Sequence, residues 1–194
     1  MATPIGHVLA GYAVAGIAAA PQLLSRRHTA GLCMLMALAP DLDLLPRLLL
    51  GQPALFHGGI SHSFAAALLA AGVVAGIHSL RGQSFRYVLA LGFVAYTTHL
   101  LLDFLGPDNR YPYGLPLFWP MVDTTYLSPR PLLLGVRHAS TTEASLREFI
   151  QGVASFRNLV AIGWEVVVSL PLVILGQWLG LQRRKRTQSR SLSG

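Results

Sequence analysis

The stretch Tyr87-Val88-Leu89-Ala90-Leu91-Gly92-Phe93-Val94-Ala95-Tyr96-Thr97-Thr98-His99-Leu100-Leu101-Leu102 holds no Asp, Glu, Lys or Arg. A helix needs about 20 mostly apolar residues to cross the hydrocarbon core, with a range of about 17–25. This run qualifies once a residue or two is added at each end. Two others resemble it, Ser63–Leu80 and Val166–Gln182. Over the whole chain only 12% of residues are charged, against about 25% in a soluble domain, and the mean hydropathy is +0.51. Isolated spans must satisfy their backbone groups internally, so the spans are expected to be helices. The expectation is an all-α, polytopic membrane helical bundle.

Working outward gives five segments: Pro4–Leu24, Thr29–Pro46 interrupted at Pro40, Ser63–Leu80, Arg86–Leu105 and Asn158–Gln182. Small residues in the third, Ala65-Ala66-Ala67 with Gly72 and Gly76, let helices approach closely. Ser140–Phe156, with Thr141-Thr142-Glu143 ahead of Leu146, Phe149 and Ile150, reads as a capped amphipathic surface helix. Pro107–Pro131 reads as ordered loop. Residues 1–182 form one domain, and 183–194 a basic tail expected to be disordered.

The 194 residues carry a formal net charge of +7. Every basic residue but Lys185 is an arginine, and several stand in short clusters beside apolar runs. That placement signals membrane topology rather than nucleic-acid binding. Arg26 with Arg27, Arg81 with Arg86, and Arg183-Arg184-Lys185-Arg186 fall on one side of five alternating crossings, which the positive-inside bias makes cytoplasmic. The tail cluster also suits anionic lipid headgroups. The lone Cys33 excludes an intramolecular disulfide. The N-terminal run lacks a basic leader and contains His7, so it reads as a retained helix.

Eight polar residues then fall at one depth on the outer side: His7, Asp41, Asp43, His57, His62, His99, Asp103 and Glu165. None of them was used to set the topology. His99 and Asp103, four apart, share one helix face, and imidazole and carboxylate suit zinc and other divalent ions. An Asp in an apolar span costs about 2.5–3.5 kcal/mol on insertion scales, which a cation would offset. A His–Asp hydrogen bond between helices is the alternative. Asp41 and Asp43 follow Pro40, where the helix should break. Two carboxylates there could bridge metals, or one could act as a base. In His57-Gly58-Gly59-Ile60-Ser61-His62-Ser63 the glycines permit a tight turn, and Ser61 is expected to cap the next helix. Glu165 could be a ligand, a proton carrier or a partner of Arg157.

The motifs Pro4-Ile5-Gly6-His7, Ala39-Pro40-Asp41-Leu42-Asp43, His57 to Ser63 and His99-Leu100-Leu101-Leu102-Asp103 resemble, in order and spacing, those of the YdjM-like family. Gly114-Leu115-Pro116-Leu117-Phe118-Trp119-Pro120 resembles that family's aromatic-proline stretch, so the match covers residues 4–120. Phe56-His57-Gly58 stands where the family has His-Arg-Gly, which removes an arginine suited to phosphate. Ile60-Ser61-His62 replaces the usual Thr-His. The family is described as bacterial and archaeal, LexA-binding, inner-membrane-associated, metal-dependent hydrolases. The resemblance implies His7, Asp41, His62, His99 and Asp103 as metal ligands, and a LexA-like partner.

The leading expectation is a hydrolase of the cytoplasmic membrane. It would use one or two divalent metals, zinc first, with His57 as a further ligand. Asp43 or Glu165 would act as base on a lipid or lipid-linked phosphoester at the outer face. Two rivals follow from the same residues: an ion carrier using the buried carboxylates, and a regulatory protein whose metal only holds helices together.

Overall fold

The computed structural model describes residues 2–18, 23–43, 58–108, 113–135 and 155–192, with side chains as far as Arg186. Among the described residues there are five α-helices: α1 (Pro4–Ile17), α2 (Arg26–Leu38), α3 (Phe64–Ser79), α4 (Phe85–Phe104) and α5 (Phe156–Leu192). Short 3₁₀ turns at Ala39–Asp43 and Ile60–His62 follow α2 and precede α3. Among the described residues the only β pairing is an isolated bridge between Leu115 and Tyr126. The fold class is all-helical, as the composition demanded.

Each helix start has a chemical cause. Thr3, Ser25, Ser63 and Ser84 cap α1 to α4, and each side chain accepts a hydrogen bond from an N–H in the first turn. Such caps satisfy donors that have no partner inside the helix. The expectation that Ser61 caps α3 is therefore corrected. Ser63 does so, accepting from Ala66 N at 3.1 Å, while the Ser61 hydroxyl turns inward. Pro40 does end α2, and the chain continues as the 3₁₀ turn carrying Asp41 and Asp43.

The helices pack through small residues. α1 lies against α5, α2 and α4, and α4 lies against α3 and α2. On α3, Ala67, Ala71 and Ala75 are fully buried, and a Cβ on Gly92 of α4 would lie 3.3 Å from Ala71. Gly72 and Gly76 were expected to share this role, but both face open space. The closest approach joins α1 and α5. A Cβ on Gly176 would fall 2.4 Å from the Ala13 carbonyl, and one on Gly180 would fall 2.3 Å from the Gly16 carbonyl. A glycine pair four apart is a recurrent device for close helix contact in membranes.

Among the described residues, two helical stretches are long and apolar enough to cross a membrane, Phe85–Phe104 and Phe156–Arg186, and α1 and α3 are shorter apolar helices. α1, α2 and α3 have 14, 13 and 16 residues. At 1.5 Å per residue these reach about 20–24 Å, below the roughly 30 Å of a hydrocarbon core. By length and composition, two of the five expected spans qualify among the described residues. The proline at position 40 and the capped turns at each end shorten the others. Large apolar side chains nonetheless lie exposed along α3 (Leu68, Leu69, Val73, Ile77) and α5 (Val167, Leu172, Ile174, Trp178). The basic tail was expected to lose order after Gln182, whereas α5 continues to Leu192. The 140–154 part of the amphipathic helix expectation lies outside the described residues.

Residues 113–135 form a loop over the end of the bundle where α3 begins and α4 ends. Phe64 N donates to the Leu117 carbonyl, and Leu132 N and Leu133 N donate to the Leu105 carbonyl. Gly114 adopts φ +87°, and a Cβ there would strike the Tyr126 carbonyl at 2.6 Å. Only glycine meets both demands at that turn.

Candidate metal centre

Four elements bring polar side chains to this same end of the bundle. α1 supplies His7, the turn after α2 supplies Asp41 and Asp43, the turn before α3 supplies His62, and the last turns of α4 supply His99 and Asp103. His7, His62, His99 and Asp103 are essentially buried, while the Asp41 and Asp43 side chains are 18% and 13% exposed. Among the described residues, two triads have ligand atoms within 4.8 Å of one another: His7, Asp41 and His99, and His62, His99 and Asp103. Five of the six expected ligands therefore converge. The sixth, His57, lies outside the described residues.

His99 Nδ1 is 2.8 Å from the Ala37 carbonyl oxygen. A carbonyl only accepts, so Nδ1 carries the proton and the neutral ring keeps its lone pair at Nε2. That Nε2 lies 3.2 Å from Asp103 Oδ2, 3.6 Å from Asp41 Oδ1 and 3.2 Å from His62 Nε2. His62 Nε2 is 3.4 Å from the same Asp103 Oδ2. On its other side, His62 Nδ1 meets Ser61 Oγ at 3.0 Å and Asp43 Oδ2 at 3.4 Å. Burial works against a charged His62, which stands in the turn before α3. The Asp103 and Asp43 carboxylates outweigh it and push the group up to about 9. The site favours positive charge at that nitrogen.

The remaining contacts show what is left without a partner. Asp103 Oδ1 accepts from Ala2 N at 2.7 Å and stands 3.5 Å from His7 Nε2. Asp103 Oδ2 and His7 Nδ1, both buried, make no hydrogen bond. The His7 ring stacks on that of His99, with centroids 3.6 Å apart and planes 14° from parallel. Among the described residues, every ion-pair partner of Asp103 is a histidine. Buried polar atoms rarely stay unsatisfied. Here one is a carboxylate oxygen facing two imidazole nitrogens, groups that suit a divalent cation once His62 gives up its proton. The residues fit a metal ion.

Two further candidates stand apart from these nitrogens. Asp43 accepts from Ser61 Oγ at 2.8 Å and from Gly58 N at 3.2 Å, on the Nδ1 side of His62. Glu165 is buried on α5 and accepts from Thr3 N at 2.9 Å and from the Thr3 hydroxyl. It thus meets the N-terminus of α1, where a carboxylate is stabilised by the helix dipole. A Cβ on Gly6 would touch Glu165 Oε2 at 2.8 Å, so the small residue beside His7 makes room for it. The pairing with Arg157 does not form. That guanidinium reaches the Leu134 and Gly135 carbonyls instead. His28 bonds to Ser25 and His78 to the Val74 carbonyl, both at the opposite end.

Sequence reading missed three participants: the Ala37 carbonyl, Ala2 N and the Ser61 hydroxyl. The first two are backbone atoms and leave no mark in side-chain identity. Ser61 was legible only as a serine beside a histidine.

Comparison with curated proteins and with solved structures returned no match. A family model does match, that of the YdjM inner membrane protein, over residues 1–186. With nearly the whole length matched, the chain belongs to the YdjM inner membrane protein family.

Proposed function

We propose that this protein is a metal-dependent hydrolase of the inner membrane, acting on a phosphoester carried by a lipid at the outer face. The observation that carries the reading is the convergence of the His62 and His99 Nε2 atoms on the unsatisfied Asp103 Oδ2. Both triads use His99, whose protonated Nδ1 leaves one nitrogen for ligation. One lone pair binds one ion, so a single ion is held by His62, His99 and Asp103, with His7 and Asp41 closing the site. A divalent ion there supplies Lewis acidity toward a phosphoryl oxygen. Zinc suits the two imidazoles and the carboxylate.

The chain's own residues do the rest. Asp41, the most exposed carboxylate of the cluster, would be the group to take a proton from water. The buried rings of His7 and His99 exclude solvent from the inner wall. The site lies at one end of the bundle; with α4 as a span, that end would fall nearer the lipid headgroups than the midplane. That favours a headgroup substrate over an ion carrier. The positive-inside bias favours an orientation with α5's basic end in the cytoplasm and the metal centre outside.

The experiment is hydrolysis of lipid phosphoesters in proteoliposomes by wild type, Asp41→Asn and His99→Ala. Activity that needs added zinc and is lost in both variants supports the reading. Zinc bound at full occupancy with no turnover across phosphoester lipids would replace it with a structural metal. Labelling of Arg27→Cys and Val122→Cys by an impermeant reagent reads the orientation, with only Val122→Cys expected to react from outside.

A further inference from the structure

We infer that Ser61 and Asp43 are positioning residues that aim His62 at the metal, and that Asp43 is not the base. The inference rests on the metal reading above. The Ser61 hydroxyl donates its one hydrogen to Asp43 Oδ2 at 2.8 Å, so toward His62 only an oxygen lone pair remains. His62 Nδ1, 3.0 Å away, must then be the donor. This keeps a proton on Nδ1, so the nitrogen left to bind metal is Nε2, which faces Asp103 and His99.

The relay is itself held in place. Gly58 N donates to the same Asp43 oxygen. The Tyr96 hydroxyl donates to the Ser61 carbonyl at 2.7 Å, and His62 N donates to the Gly59 carbonyl. Two anchored side chains, Ser61 and Asp43, therefore stand behind one ring nitrogen. Metal-bound histidines commonly give their second N–H to a carboxylate or carbonyl, and loss of that partner costs about 10–100-fold in affinity. His99 has such a partner in the Ala37 carbonyl, and His62 has it in the Ser61–Asp43 pair. Asp43 lies beyond Ser61, on the side of His62 away from the metal-facing nitrogen, which places it poorly to reach water at the ion.

The test uses the full-length protein in detergent with ¹⁵N-labelled histidine. Zinc affinity is measured by chelator competition in wild type, Ser61→Ala, Asp43→Ala and Asp43→Asn. The expected result is about 10–100-fold weaker zinc binding in Asp43→Ala, a smaller loss in Ser61→Ala, and partial rescue in Asp43→Asn, whose amide oxygen still accepts. In metal-free protein, at a pH where the ring is neutral, His62 in wild type should show its proton on Nδ1, and in Ser61→Ala a mixture of tautomers. Zinc affinity within twofold of wild type in both alanine variants overturns the inference, as does an unchanged His62 tautomer. Should Asp43→Ala fail to fold, Ser61→Ala and Asp43→Asn carry the same comparison. If wild type binds no zinc, the metal reading fails. The tautomer comparison still decides whether Ser61 and Asp43 set the ring.

Discussion

Replacing His99 by alanine removes the one nitrogen that both ligand triads use, so no rearrangement among the remaining residues restores either. Structural zinc sites with four ligands bind with about 10–16 kcal/mol, or roughly 2.5–4 kcal/mol per ligand. Loss of one ligand therefore weakens binding by on the order of 100-fold or more. Zinc at 100 times the wild-type Kd stabilises wild type by about 2.7 kcal/mol. The same zinc meets a 100-fold weaker variant at its Kd and stabilises it by only about 0.4 kcal/mol. For a chain of this size about 1 kcal/mol moves Tm by roughly 2–4 °C. Zinc should then raise the wild-type Tm by about 5–11 °C and that of His99→Ala by about 1 °C. The assay is thermal unfolding in detergent, with metal stripped and then restored. An equal zinc-dependent shift in both proteins would refute the assignment of His99 as the shared ligand.

Four other outcomes follow from the same structure. Gly180→Leu places a side chain on the Gly16 carbonyl and should cost about 1–3 kcal/mol by overpacking, whereas Gly72→Ala, in open space, should leave Tm unchanged or raise it; differential scanning of the two variants checks this. Glu165→Gln should lower Tm by weakening the acceptor at the start of α1, at about 0.5–2 kcal/mol, with metal content unchanged; loss of activity at full stability would instead make Glu165 a catalytic group. Zinc affinity should rise with pH, because a ligand must be deprotonated and His62, raised to about 9, holds a proton at pH 7 that metal must displace. Titrations at pH 6, 7 and 8 that showed a falling affinity would contradict this.

Much of the arrangement was legible because membrane insertion leaves a coarse mark. The charge-free run from Tyr87 to Leu102 predicts α4 within two residues at either end, and Pro40 marks the end of α2. The depth of His7, Asp41, His62, His99 and Asp103 along their segments was enough to bring them together before any geometry was known. What was not legible depends on backbone atoms and on choices between neighbours. Ser61 and Ser63 are equally good caps by type, and only the fold sends one to Ala66 N and the other to His62 and Asp43. Gly72 and Gly76 look like packing residues in sequence, yet the buried stripe is Ala67, Ala71 and Ala75, set by rotation of α3 about its axis. Among the described residues, two of the five expected spans are long enough by themselves, because hydropathy windows run through the turns that end α1 and α2.

The central claim is that one divalent ion sits among His62, His99 and Asp103. Elemental mass spectrometry on detergent-purified wild type, reloaded with zinc after chelator treatment and washed, measures this directly beside Asp103→Asn. The account predicts about one equivalent in wild type and a small fraction of that in the variant. Two equivalents would contradict the shared-ligand argument, and none would leave a network of buried histidines and carboxylates without its cation.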